Sequence, residues 1–232
     1  KISPDGKEIA FTYKGDIYKV AAAGGVAKRL TTLDSYESNP VWSPDGKKIA
    51  FASTRFGGKD IFIMDSDGGS PVRLTFNSAA ENPEGFTPDG ENVLFSAAIQ
   101  DPASSVMFPS GRLVELYEVP ADGGRVRQVL ATPALGISYL PDGKSFLYED
   151  VKGMEDALRK HHTSSVTRDI WRYDAASGQH KNLTHREGED RNPVVGSDGS
   201  TVYFLSERDG NPFNLYSFPV SNPSAVLSLI HI

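Results

Sequence analysis

Between residues 37 and 75 apolar and polar positions group into short runs of β-forming residues, at 39–43, 48–53, 60–65 and 72–75. Each run is too short for a stable helix, and each ends in a turn signal. Pro44-Asp45-Gly46 separates the first two runs. Proline presets φ, aspartate bonds the backbone ahead of it, and glycine accepts the left-handed conformation of a bulged hairpin. Gly57-Gly58 and Asp67-Gly68-Gly69 make the next two connections, so 37–75 reads as a four-stranded antiparallel meander.

The unit repeats. The turn aspartates fall at 5, 45, 89, 142 and 198, at intervals of 40, 44, 53 and 56. In register with them run Asp16-Ile17-Tyr18, Asp60-Ile61-Phe62, Glu115-Leu116-Tyr117, Asp169-Ile170-Trp171 and Asn214-Leu215-Tyr216. A period in the low forties, lengthened twice, is that of one four-stranded propeller blade with loop insertions. The fold class is therefore all-β: a β-propeller of four-stranded antiparallel blades, five of them present, at 1–31, 37–75, 81–130, 134–184 and 190–219. With strands lettered a to d from the axis outward, blade one lacks strand a and blade five most of strand d. The pattern implies a fragment of a six- or seven-bladed propeller. Residues 220–232 end in LSLIHI, which looks like a translated sequencing-library end, and the expectation is a non-native or disordered tail there.

In a propeller the d-to-a and b-to-c loops emerge on one face and the short a-to-b and c-to-d turns on the other. Both long insertions, 99–112 and 150–167, are b-to-c loops, and the charged segment 185–191 is a d-to-a loop. The working surface is expected on that face. Its densest chemistry is Arg159, His161, His162 and Arg168, expected near Glu189, Asp190 and Arg191 of the next blade. The leading reading is a structural network pinning the long loop, ahead of contact with a ligand or peptide. A metal site or Ser/His/Asp catalysis ranks last, since adjacent histidines on an extended chain point oppositely. One or two helical turns are expected at 154–160. The turn aspartates supply one carboxylate each, too few for a calcium loop, and the third-strand aromatics are expected in the core between blades.

Composition narrows the function classes. With 24 basic and 30 acidic side chains the net charge is −6, which argues against nucleic acid as the main partner. The absence of cysteine excludes disulfides and a thiol nucleophile. No apolar run approaches the ~20 residues of a membrane span. No phosphate-binding glycine loop or Gly-x-Ser-x-Gly elbow occurs, so no cofactor, metal or catalytic residue is expected within these residues.

The repeat SPDGKKIAF, DIFIMDSDGG, RLT resembles the TolB-like (WD40-like) propeller repeats. KGMEDALRKHHTSSVTRDIWRYD, followed by NLTHREGEDRNPV and VYFLSERDGNPFNLY, is similar to the amino-terminal propeller of bacterial tricorn-like serine peptidases. That resemblance implies a non-catalytic region that gates or docks peptides or unfolded protein for PDZ and peptidase domains downstream in the parent chain. It also implies a periplasmic or otherwise extracytoplasmic setting, with the cytoplasm as the alternative. The rival is a stand-alone TolB-like interaction propeller of an envelope complex.

Overall fold

A computed structural model describes residues 1–99, 113–153, 164–208 and 213–230. The helical turns expected at 154–160, and Arg159, His161 and His162, lie outside the described residues, as do nearly all of 99–112. The chain divides into two compact units, Lys1–Ala131 and Thr132–Ile232.

The first unit holds three antiparallel sheets. The first contains β1 (Glu8–Tyr13), β2 (Asp16–Ala21) and β3 (Lys28–Arg29); the second β4 (Glu37–Trp42), β5 (Lys48–Phe56), β6 (Gly58–Asp65) and β7 (Val72–Arg73); the third β8 (Asn82–Phe86), β9 (Asn92–Ala97), β10 (Glu115–Pro120) and β11 (Arg127–Leu130). The second unit holds two: β12 (Ala134–Tyr139), β13 (Ser145–Asp150), β14 (Ile170–Asp174) and β15 (Gln179–Asn182), then β16 (Asp190–Val195), β17 (Thr201–Ser206), β18 (Asn214–Pro219) and β19 (Leu227–Ile230). Strands follow chain order in every sheet. These are the five blades of an all-β propeller, and no α-helix occurs among the described residues.

One expectation needs correcting. The sequence reading ends the repeat at residue 219, whereas Leu227–Ile230 pair with β18 as the fourth strand of the last blade. Leu-Ser-Leu-Ile alternates and is rich in β-formers, and the outer edge of β18 offers unpaired N–H and C=O groups that such a segment satisfies. Blade one does hold three strands; Lys1 and Ala10 exchange two backbone bonds at the inner edge of β1, 2.7 and 2.9 Å.

The Asp-Gly turns behave as their chemistry requires. Asp45 accepts from Ser43 Oγ at 2.6 Å and from Lys47 N at 3.0 Å, and Gly46 sits at φ 70°. The same bonds recur at Asp5 and Asp89, so the aspartates are turn formers. Bonds from Ser43 and the Lys47 backbone hold the Asp45 carboxyl below its ordinary range.

The apolar core lies between successive blades. Ile61 and Ile63 meet Phe86, Phe95 and Tyr117 of the next blade, while the aromatic face of the same blade, Phe51 and Phe62, meets Ala10 and Ile17 of the preceding one. In the second unit Ile170 and Leu147 meet Phe204, Tyr216 and Phe218. Each such side chain contributes about 1.5–3 kcal/mol when fully buried. The third-strand aromatics Phe62, Tyr117 and Tyr216 are core as expected, whereas Tyr18 and Trp171 are half-buried.

Beneath the b-to-c loops lies a second organising feature, a buried acid at the start of strand a. Glu37, Glu81 and Asp190 are fully buried. Glu37 stands opposite Ser53, and Arg55 Nε donates to Ser53 Oγ at 3.0 Å while its Nη2 donates to Glu37. Asp190 stands opposite Ser206; Arg208 Nε donates to Ser206 Oγ at 3.1 Å and its Nη2 to Asp190 at 3.2 Å. The guanidinium groups also stack on core aromatics, Arg55 4.5 Å from the Phe62 centroid and Arg208 5.3 Å from that of Phe204. Ser-x-Arg at the end of strand b thus neutralises the acid of strand a. In the fourth blade the acid has moved across the ladder: Ala134 faces Asp150, and Lys152 bridges Asp150 at 3.2 Å and Asp169 at 2.9 Å.

The third blade breaks the rule. With Phe95 in the register of Phe51, the Ser and Arg positions are Ala97 and Ile99. Glu81 keeps a bond from Thr75 Oγ1 but has no ion pair among the described residues, Arg73 acting only weakly from further off, and its Oε1 is buried without a partner. Burial, reinforced by the nearby Asp60 charge, pushes its carboxyl up to about 7.

Because the folded chain holds this proton more tightly than the unfolded chain does, the contribution of Glu81 to stability is greatest below the unfolded value of 4.5 and falls as pH rises toward 7. The loss is on the order of 2–3 kcal/mol. Thermal melts from about pH 5 to about pH 8 are expected to show this fall in the native chain, a flatter profile in Glu81→Gln, and a shift of the fall to lower pH in Ile99→Arg. A native-like pH slope in Glu81→Gln would show that the group is not the source.

Candidate functional site

The b-to-c and d-to-a side carries an aromatic patch in the first unit. Phe56 ends β5 and Phe76 follows β7; they are 63% and 74% exposed. Both are turn positions at which polar residues are the norm. Arg73 lies between them, its guanidinium 4.8 Å from the Phe56 centroid and 4.6 Å from that of Phe76. Asp60 at 2.9 Å and the Thr75 carbonyl at 2.8 Å hold that guanidinium in place. Tyr13, at the end of β1, and Tyr36, just before β4, are also exposed. A fixed cation between two exposed rings is a rigid platform suited to extended peptide or to apolar side chains.

In the second unit the described members of the sequence-predicted group come together in part. Arg168 donates to Glu149 at 2.5 Å and lies 3.6 Å from Glu189; Arg191 approaches Glu189 at 3.8 Å. Glu149, which the sequence reading did not single out, is buried, and its other oxygen accepts from Asn192 N at 2.8 Å. Asn192 adopts φ 54°, which opens the bulge in β16 between Arg191 and Val194. Asp190 points elsewhere, to Arg208 and, at 3.5 Å, to Arg186. Burial raises its carboxyl, while bonds from Ser206 and the charges of Arg208 and Arg186 oppose the rise.

Two acids and two arginines therefore form one compensated cluster, which holds the segment after the long insertion against the next blade. Arg191 also lies 3.8 Å over the Phe213 ring, repeating the cation-on-aromatic arrangement of Arg73. Among the described residues no group of three His, Asp or Glu has the geometry to hold a metal ion, and no helix is long and apolar enough to cross a membrane.

Comparison with known proteins identifies the lineage. A family model described as the tricorn protease N-terminal β-propeller domain matches residues 1–226. A TolB homologue from Chlorobium luteolum is 39% identical over 57 residues, 25% of this chain and 13% of that protein. The matched stretch thus spans a small part of that relative's length. Among solved structures, a protein of Agrobacterium tumefaciens described as a TolB superposes with a TM-score of 0.76 at 20% identity, covering 99% of this chain and 79% of that one. The tricorn protease superposes with a TM-score of 0.68 at 14% identity, covering 99% of this chain and 26% of that one. The match over nearly the whole chain, on blades built as described, means that this chain belongs to the tricorn protease N-terminal β-propeller family.

Proposed function

We propose that this chain is a non-catalytic, peptide-handling propeller of a tricorn-like serine peptidase. It docks or gates peptide or unfolded-protein substrates for a peptidase domain encoded elsewhere in the parent polypeptide, which also carries PDZ domains. The observation that carries the reading is the family match over residues 1–226. The exposed Phe56–Arg73–Phe76 platform and the partly exposed Arg191 on Phe213 support it, since both present cations and rings on the side where the long insertions emerge. Arg191 and Arg168, with Arg159, His161 and His162 of the insertion, are the proposed contacts, and buried Glu189 and Asp190 support them from beneath. A periplasmic or otherwise extracytoplasmic setting belongs to the same reading.

A second reading, a stand-alone TolB-like interaction propeller of an envelope complex, is favoured by the local identity to the TolB homologue and the 0.76 TM-score to the Agrobacterium protein. The two separate on the reading frame beyond residue 226: PDZ and peptidase domains support the first, and a stop directly after the propeller supports the second.

In the full-length protein, Phe76→Ser and Arg191→Ala are expected to lower kcat/KM for long peptides by about 5- to 20-fold while leaving dipeptide-sized substrates within about twofold. Equal effects on long and short substrates, or none on either, would remove the docking role.

A further inference from the structure

One cross-strand row of side chains, from strands b, c and d, recurs in the first four blades, and in the first, second and fourth it includes residues packed against the following blade. In the second blade that row is Ala50, Ile63 and Val72, and its first two members are core. In the first and third blades it carries charge, and there the charge is matched. Lys19 meets Glu8 at 3.0 Å and Asp67 at 2.9 Å, and Glu118 pairs with Arg127. In the fourth blade the row is Leu147, Arg172 and Lys181, so two cations stand where the second blade has aliphatic residues.

Their compensation is incomplete. Among the described residues Arg172 bonds Ser145 Oγ at 3.0 Å and has the half-exposed Asp142 carboxylate at 3.7 Å, with the exposed Asp174 acting from further off; its Nε is buried without a partner. Lys181 is exposed and forms no ion pair or hydrogen bond among the described residues. Both cations line a cavity of about 220 Å³ between the fourth and fifth blades, whose remaining wall includes Leu147, Leu183, Val202 and Phe218 and the polar Ser221. An unpartnered buried N–H carries a desolvation cost that an anionic acceptor removes.

We propose that this cavity is a binding site for a small carboxylate with an apolar body, the carboxylate on Arg172 and Lys181 and the hydrocarbon against Leu147, Val202 and Phe218. The volume is below the ~300–1,000 Å³ of drug-sized sites, which limits the ligand to roughly the size of a single amino acid. The site is independent of the peptide-docking surface, because it is reached from the c-to-d side of the blade rather than from the b-to-c loops.

The test is an NMR titration of the whole chain with hexanoate, with 3-phenylpropanoate and with hexanamide as the neutral analogue of the same shape. The carboxylates are expected to shift the signals of Leu147, Val202 and Phe218, with hexanamide at least about tenfold weaker. Arg172→Gln is expected to reduce that preference to about twofold or less, and Lys181→Gln, at an exposed position tolerant of change, to reduce it in part. Leu183→Trp, which fills the cavity, is expected to abolish binding of all three probes. Equal binding of hexanoate and hexanamide, a preference unaltered in Lys181→Gln, or an absence of shifts at these residues would overturn the proposal.

Discussion

A carboxylate buried where strand a begins must find a cation or take up a proton, and this constraint sets the chemistry along one side of the blades. In the second and fifth blades the acid ties the entry of the blade to its own strand b, because Ser-x-Arg places a hydroxyl and a guanidinium on it from directly across the ladder. The same guanidinium lies over core aromatics, so charge and apolar packing fix one position. Removing one partner of such a pair leaves a desolvated charge, which is why these positions are expected to tolerate paired change and resist single change.

The repeats show that paired change. Where strand a begins with Ala134, strand b supplies Asp150 and the cation becomes Lys152. Where Ser and Arg give way to Ala97 and Ile99, the acid Glu81 remains and becomes the titrating member of the series. Departures from the repeat thus mark where a blade does something its neighbours do not, and the cationic row of Arg172 and Lys181 is a departure of the same kind on the opposite side.

Much of the architecture was legible in the residues. Pro-Asp-Gly turns and the Asp-Ile-aromatic strand recur at spacings that only a blade period satisfies, and the placement of long insertions on b-to-c loops followed from topology. The buried acids were not legible as such. Glu37, Glu81 and Asp190 precede Asn-Pro segments and read as polar loop residues, and only the ladder register puts Ser53 and Ser206 opposite them. Glu189, Asp190 and Arg191 read as a single surface cluster, yet the alternation of a strand sends Asp190 into the interior and its neighbours to the Arg168 and Glu149 group. The last strand was missed because Leu227–Ile230 falls in the LSLIHI end that read as a non-native tail, and only pairing with β18 reveals it.

Peptide handling, on this view, uses the same element in a different place. Arginine stacked on an aromatic ring is structural where it is buried, as in Arg55 on Phe62, and becomes a contact surface where the rings are exposed, as in Arg73 between Phe56 and Phe76. The most direct test of the underlying clamp is a double-mutant cycle on Glu37→Gln and Arg55→Met, followed by denaturant unfolding. A coupling of about 2–4 kcal/mol is expected, with each single variant at least as unstable as the double. Additivity within about 0.5 kcal/mol would contradict the clamp and leave the blades held by apolar packing alone.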